Sequence, residues 1–347
     1  MQQKNRESIP YPPSFLDRFM DWVKGFPIPY WLTYLILLAV EGILHHAAAW
    51  FMGWQKPFTF NPIMFVFPLW LWVPLTIMTY VDSISLTALS TFSQLLSADE
   101  DELKRLKYEF ATMPQQGAVL SGVFWGINYL ILTYLGYQVF YVAYHLGPFL
   151  SAVTFGAGLI TYLTGSAIYY HSIRKLILIN RTVRTVKNFN LFRLDPVYAF
   201  SRVTSMIGAS WMLMLTLTLL ILPIRLATGL GVAIMAVQIL LAISAFVLPL
   251  WFVHRRLESE KLKLIAEHNL RTQSTMERLH HALDKNELDE IDHFSNALMG
   301  MGAEREVLNV IPTWPWRAGT LTGFVSAIVL PIVLFLIQLA IQKWMGM

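Results

Sequence analysis

The sequence predicts an all-α, polytopic membrane protein of seven transmembrane helices, N-terminus inside and C-terminus outside, with a cytoplasmic helical bundle built from extended helices. Three observations predict it. Of 347 residues, 55% are hydrophobic and only 14% charged, against about 25% charged in soluble domains, and mean hydropathy is +0.50. Seven segments reach the roughly 20 apolar residues that a bilayer-crossing helix needs. Lys and Arg, finally, crowd onto alternate connections, as the positive-inside rule requires.

Residues 1–29 form an N-terminal cytoplasmic or interfacial segment. Its first apolar run begins too late for a secretory signal, so the first hydrophobic stretch is read as a retained span. Phe15, Leu16, Phe19, Trp22 and Val23 share one helical side against Asp17, Arg18, Asp21 and Lys24. That pattern suits a helix lying in the interface and equally one packed on neighbouring spans. Residues 30–253 carry six spans, at about 30–52, 62–81, 118–140, 147–170, 207–226 and 228–253, with cytoplasmic loops 82–117 and 171–206. Residues 254–317 are a cytoplasmic helical segment, and the seventh span, about 318–343, lies in 318–347. Tyr30, Trp31, Trp50 and Trp54 bracket the first span and Trp316 and Trp344 the last, where aromatic belts belong.

Ser97 to Glu100 reads as a capping box opening a helix that runs to about Met113, where Pro114 stops it. The fourth span continues past His171, and the sixth runs on through 254–285 as one long helix. A further helix from about Glu287 to Leu308 places Ile291, Phe294, Leu298, Met301 and Leu308 at 3–4 spacing. These extensions predict the bundle and a contact between copies of the chain.

The N-terminal segment holds four basic residues, 82–117 three, 171–206 seven and 254–317 nine, leaving only Lys56, Arg225 and Lys343 of the 26 for the other side. The outer connections near 53–61, 141–146 and 225–229 are too short for an extracellular ligand domain. The net charge of +4 is therefore a membrane-side bias and gives no reason to expect nucleic acid as a partner. Zero cysteines exclude disulfides, thiolate metal sites and Cys nucleophiles. With no G-x-S-x-G, H-E-x-x-H, phosphate loop or nucleotide fingerprint, the expectation is no enzyme, no catalytic residue, no metal and no cofactor.

Glu41 lies near the middle of the first span, where an ionised carboxylate costs about 2.5–3.5 kcal/mol on insertion scales. His45 is one turn on and His46 beside it. Glu41 and His45 share a face and fit a proton relay, or Glu41 is neutral or paired across to Asn128 in the third span or Gln238 in the sixth. Together they are too few ligands for a metal. In the last span, Thr322 with Ser326 and Gln338 with Gln342 are i,i+4 pairs at either end of an apolar middle containing Pro331. Such a span can line a pore that gates by dewetting, or simply pack. Gly122 and Gly126 form a GxxxG match, read as close helix packing. The turn containing His280, His281, Asp284, Glu287, Asp289, Glu290, Asp292 and His293 reads as a solvated helix junction, with a divalent-cation site the competing reading.

LFRLDPVYAFSR (191–202) and IPTWPWRAGTL (311–321) resemble an uncharacterised family of bacterial seven-span membrane proteins, over about Arg174 to the end. That resemblance implies bacterial origin and no activity. The layout alone is similar to that of insect chemoreceptor channels, in which a last helix lines a tetrameric pore. The functional expectation is an oligomeric ion channel-like protein of the cell (plasma or inner) membrane, its last helix lining the pore. The alternatives are a proton-coupled transporter centred on Glu41 and His45, and a non-transporting sensor or scaffold subunit. Expected partners are the bilayer, further copies of the chain and a cytoplasmic protein.

Overall fold

The computed structural model describes residues 10–137, 147–186, 190–221, 229–285 and 287–344. Twelve α-helices are found among them: α1 (Phe15–Lys24), α2 (Tyr30–Phe51), α3 (Val66–Phe92), α4 (Glu100–Ala111), α5 (Gln115–Tyr137) and α6 (Pro148–Thr164). Then follow α7 (Ala167–Arg184), α8 (Ala199–Ile221), α9 (Gly229–Val247), α10 (Trp251–Lys285), α11 (Leu288–Val310) and α12 (Ala318–Trp344). Seven helices, single or joined end to end, are long and apolar enough to cross a bilayer: Tyr30–Phe51, Pro62–Leu95, Gln115–Leu135, Pro148–Arg184, Ala199–Ile221, Met235–Lys285 and Ala318–Ile341. The chain is thus an all-helical, multi-pass membrane protein. Of the connections expected on the outer side, 141–146 and 225–228 lie outside the described residues, as does the Gln342 side chain.

The second span is longer than its apolar window. α3 runs on to Phe92 and a 3-10 turn to Leu95, so the loop expected from residue 82 begins about a dozen residues later, and Asp82 sits inside a helix. The cap of α4 also differs. Asp99, not Ser97, accepts the backbone N–H of Glu102 at 2.7 Å, because a carboxylate at that position is the stronger partner for the helix start.

α8 is the central helix, its span 61% buried against 17% for α12, and it packs on α3, α9 and α12. Its Thr204, Ser210 and Thr216 hydroxyls return to carbonyls one turn back. A helix can therefore carry them into an apolar core without orphaned polar atoms.

α6 and α7 are one span interrupted at Gly165. A Cβ there would lie 2.1 Å from the Trp70 carbonyl oxygen, and one on Gly122 would lie 2.6 Å from that of Leu163. Both glycines let backbones approach more closely than any side chain allows. Gly165→Ala is expected to push α3 and α6 apart at a cost of about 1–3 kcal/mol, read as a lower midpoint for loss of monodisperse protein on heating. An unchanged midpoint would show that this approach is not needed.

α1 is packed, not lipid-floating. Leu16, Met20 and Val23 are buried with Tyr34, Leu75, Met78 and Met113, and the Ser14 backbone N–H donates to the Met113 carbonyl at 3.0 Å. Asp17 completes the clasp, accepting from the Ser14 hydroxyl at 2.8 Å and from the Met113 N–H at 2.8 Å. Burial pushes the Asp17 carboxyl above its usual 3.8. A carboxyl raised in the folded state binds its proton more tightly there, so this contribution is fully present below the unfolded value and is lost as pH rises through the folded one. α1 is accordingly expected to hold more tightly as pH falls toward 4, an effect removed in Asp17→Asn and measurable by hydrogen exchange of α1.

α10 and α11 form an antiparallel hairpin beyond the spans. Ile291, Phe294, Leu298 and Met301 are half-buried and Leu308 buried, on the side facing α10. Lys261 Nζ donates to the carbonyls of Asn309 and Ile311 at 2.7 and 2.8 Å, holding the C-terminus of α11, where a cation is favoured.

Candidate functional site

The residues singled out in the first span go to separate partners. Glu41 accepts the Trp72 indole N–H at 2.5 Å, which bridges α2 to α3 rather than to Asn128 or Gln238. Gln238 meets the Tyr169 hydroxyl instead. His45 Nδ1 lies 3.2 Å from the Met64 carbonyl, and among the described residues no bond links it to Glu41. Asn128 is half-buried on α5, whose neighbours include α6, α7 and α1. His46 is buried, and the Asn61 backbone N–H donates to its Nε2 at 3.1 Å. A backbone N–H can only donate, so Nε2 is the unprotonated nitrogen and Nδ1–H donates to the Gly42 carbonyl at 2.8 Å. The ring is thus held as a neutral tautomer. It floors a cavity of about 320 Å³ lined by Ile43, Trp50, Phe58, Phe60 and Phe65.

The last span divides its polar residues between two faces. Thr322 and Ser326 are exposed, their hydroxyls returned to the carbonyls of Ala318 and Thr322 at 3.0 Å each. Gln338 instead donates to the Leu219 carbonyl of α8 at 2.8 Å. Twelve residues separate Ser326 from Gln338, about 120° around a helix of 3.6 residues per turn, so the outward face carries Thr322 and Ser326 followed by Val329, Val333 and Leu336.

The linker before α12 is clamped by stacked rings. His254 of α10 lies flat on Trp314 at 3.7 Å and 2°, Trp314 on Trp316 at 4.4 Å, Trp316 on Phe246 at 4.8 Å, and Phe246 on Phe324 of α12 at 4.3 Å. Arg317 pairs with Asp195. Such offset aromatic contacts add to a junction beyond their area alone and tie the start of α12 to α10.

A cluster that the linear sequence does not reveal lies between α3 and α7. Asp82 Oδ1 is 2.8 Å from His171 Nε2 and 2.6 Å from Lys175 Nζ, and the three side chains are 5%, 2% and 1% exposed. His171 forms a hydrogen bond, whereas Lys175 Nζ lies off the direction that one needs and is held as an ion contact. Asp82 Oδ2, Ser85 Oγ one turn along α3 and Thr182 Oγ1 two turns along α7 meet no hydrogen-bond partner among the described residues. Phe110 of α4 covers the ammonium at 5.9 Å. The signal available in the sequence was the helical spacing of His171 and Lys175, i,i+4 in a stretch that continues a span.

Among the described residues, no group of three or more metal-ligating side chains comes together, the acidic turn at 280–293 included. No family model, curated protein or solved structure matches the chain.

Proposed function

We propose that the chain is one subunit of an oligomeric membrane channel whose α12 faces the symmetry axis, with the α10–α11 hairpins holding the copies together on the cytoplasmic side. The observation that carries it is the apolar exterior of that hairpin. Leu270, Leu288, Met299 and Val310 are 68%, 70%, 67% and 79% exposed on helices too polar to lie in a bilayer, and apolar surface in water marks an interaction site. It leads through the clamped tryptophans into the least buried span. A second copy is the occupant favoured, because α12 too has most of its circumference uncovered, and one symmetric contact accounts for both.

In this reading Thr322 and Ser326 line the axis at one end, and Val329, Val333 and Leu336 form a constriction that gates by dewetting. The N-in, C-out orientation is supported by contacts that gather the basic segments on one side. Arg174 donates to the Glu109 carbonyl, Arg193 to Gln94, Arg202 to Tyr80 and Arg256 to the Val186 carbonyl.

The chain has no cysteine, so Ser326→Cys introduces a lone thiol. Mild oxidation is expected to convert it to a disulfide-linked dimer, from a particle whose mass is a multiple of 39.8 kDa, with conductance in planar bilayers. A single-copy particle with no cross-link sinks the channel reading. A stable complex with a soluble protein in place of a second copy favours the scaffold alternative.

A further inference from the structure

We infer that the outward face shared by the end of α7 and the start of α10 binds an anionic glycerophospholipid, its phosphate held by Arg184 and Arg255 and its chains running back along Ile177 and Leu248. The site needs only the spanning fold and stands whether or not the chain forms a channel. Three contacts lay the two helices side by side. The Asn180 side-chain N–H donates to the Pro249 carbonyl at 3.4 Å, the Arg184 guanidinium lies over the Phe252 ring at 5.3 Å, and Arg256 donates to the Val186 carbonyl at 2.6 Å. Rising residue numbers on one side meet rising numbers on the other, so the helices are parallel and leave the membrane toward the same side.

Both change character over the same interval. Along α7, Ile173 and Ile177 are 50% and 62% exposed, and Arg184 is exposed on the same face seven residues beyond Ile177. Leu248 is likewise 62% exposed, and Arg255 is exposed seven residues beyond it. Seven residues are about 10 Å of helix, so the two guanidiniums stand at one height above the last outward apolar side chains. Trp251 is 42% exposed one turn before Arg255, at the level where amphipathic rings meet the head groups. An apolar wall that ends in a pair of cations is the complement of a phospholipid.

The guanidiniums are also prepared for phosphate. Arg184 lies on Phe252 and Arg255 on the adjacent Trp251 at 5.5 Å. A ring covers the flat side of a guanidinium and leaves the N–H groups at its rim free to point outward. Arg184 spends its Nε–H on Asn180 at 2.8 Å. The terminal N–H groups remain as the fork that grips a phosphate through two parallel bonds. Arg181, exposed one turn before Arg184, adds a third cation. Glu260 pairs with Lys263, and among the described residues no carboxylate, Glu258 included, lies within ion-pair distance of Arg181, Arg184 or Arg255.

These features select the ligand. A zwitterionic lipid brings its own ammonium into a cluster of cations, whereas an anionic head group does not. A soluble phosphate makes no use of Ile177 and Leu248.

The test counts lipids on the intact protein. The full-length chain is stripped of lipid in non-ionic micelles and titrated with phosphatidylglycerol or phosphatidylcholine, and bound lipid is read by mass spectrometry of the folded protein. Two arginines at a membrane surface are expected to favour phosphatidylglycerol by about 30-fold, with about fivefold left in Arg184→Gln or Arg255→Gln and no preference in the double variant. Arg278→Gln removes the same charge about 35 Å further along α10 and is expected to leave the preference intact.

No preference in the native chain overturns the site, and so does an equal loss in Arg278→Gln, which would show a general pull of net charge. Glycerol 3-phosphate separates the two sources of phosphate. It is expected to leave the lipid in place; displacement at concentrations equal to the lipid's would assign the guanidiniums to a soluble phosphate and overturn the lipid site. If either single variant does not fold, the other decides together with the native comparison, which needs no substitution.

Discussion

Replacing Asp82 with asparagine is expected to cost about 3–5 kcal/mol, the range found when one partner of a buried ion pair is removed. The magnitude comes from what remains. Lys175 is 1% exposed, and its ammonium would keep its desolvation penalty while losing the carboxylate in direct contact with it. Asparagine still offers Oδ1 to His171, so the loss is electrostatic and not a gap in packing. The measurement is survival of monodisperse protein on heating. Asp82→Asn is expected to fall well below the native chain, Lys175→Met to lose less because His171 still holds the carboxylate, and the double variant to recover most of the loss. Three equal midpoints would show that water reaches the pair and that it contributes little.

The cost of that pair explains which parts of this protein can be seen from its sequence. Spanning helices announce themselves, because the bilayer demands about 20 apolar residues in a row wherever the chain crosses, and all seven expected spans coincide with helices of the required kind. The continuation of the fourth and sixth spans was legible too, since His171 to Arg184 and His254 to Lys285 carry no helix breaker. Boundaries facing water were less so. Asp82 reads as the first polar residue of a loop and Lys175 as one basic residue among seven, because a linear count assigns charge to the aqueous side by default. Only folding brings residues 82 and 175 together, under a helix, α4, that the same reading places in the loop.

The polar residues of the last span show the same limit. Thr322, Ser326 and Gln338 were recognisable as unusual within an apolar run, but which way each points depends on α8. That helix takes Gln338 through the Leu219 carbonyl and leaves the other two outward. Glu41 was equally visible as an exception and equally silent about its partner, because an indole N–H thirty-one residues on is no charge and leaves no mark in a search for paired ions.

Leu308→Ala is expected to separate the assembly from the seven-span body. Leu308 is 3% exposed and is the one fully buried side chain of α11 among the described residues. It belongs to the same apolar cluster as Val253, Leu257 and Ile311, so its truncation removes buried methyl groups where the hairpin joins that core, and large-to-small changes of this kind cost about 2–5 kcal/mol. Lys261 fixes the last carbonyls of α11 and cannot by itself restore the packing. Exchange of α11 amides is expected to quicken by roughly 10²-fold, since 1.4 kcal/mol is a factor of ten in local opening. α2 and α12 pack in apolar clusters that do not include Leu308, so their exchange should stay as in the native chain. If hairpins join the copies, the native mass should fall to that of a single chain. Persistence of the oligomer with an opened hairpin would instead assign the contact to the outward face of α12, leaving the pore-lining role of Thr322 and Ser326 in place while moving the anchor into the membrane.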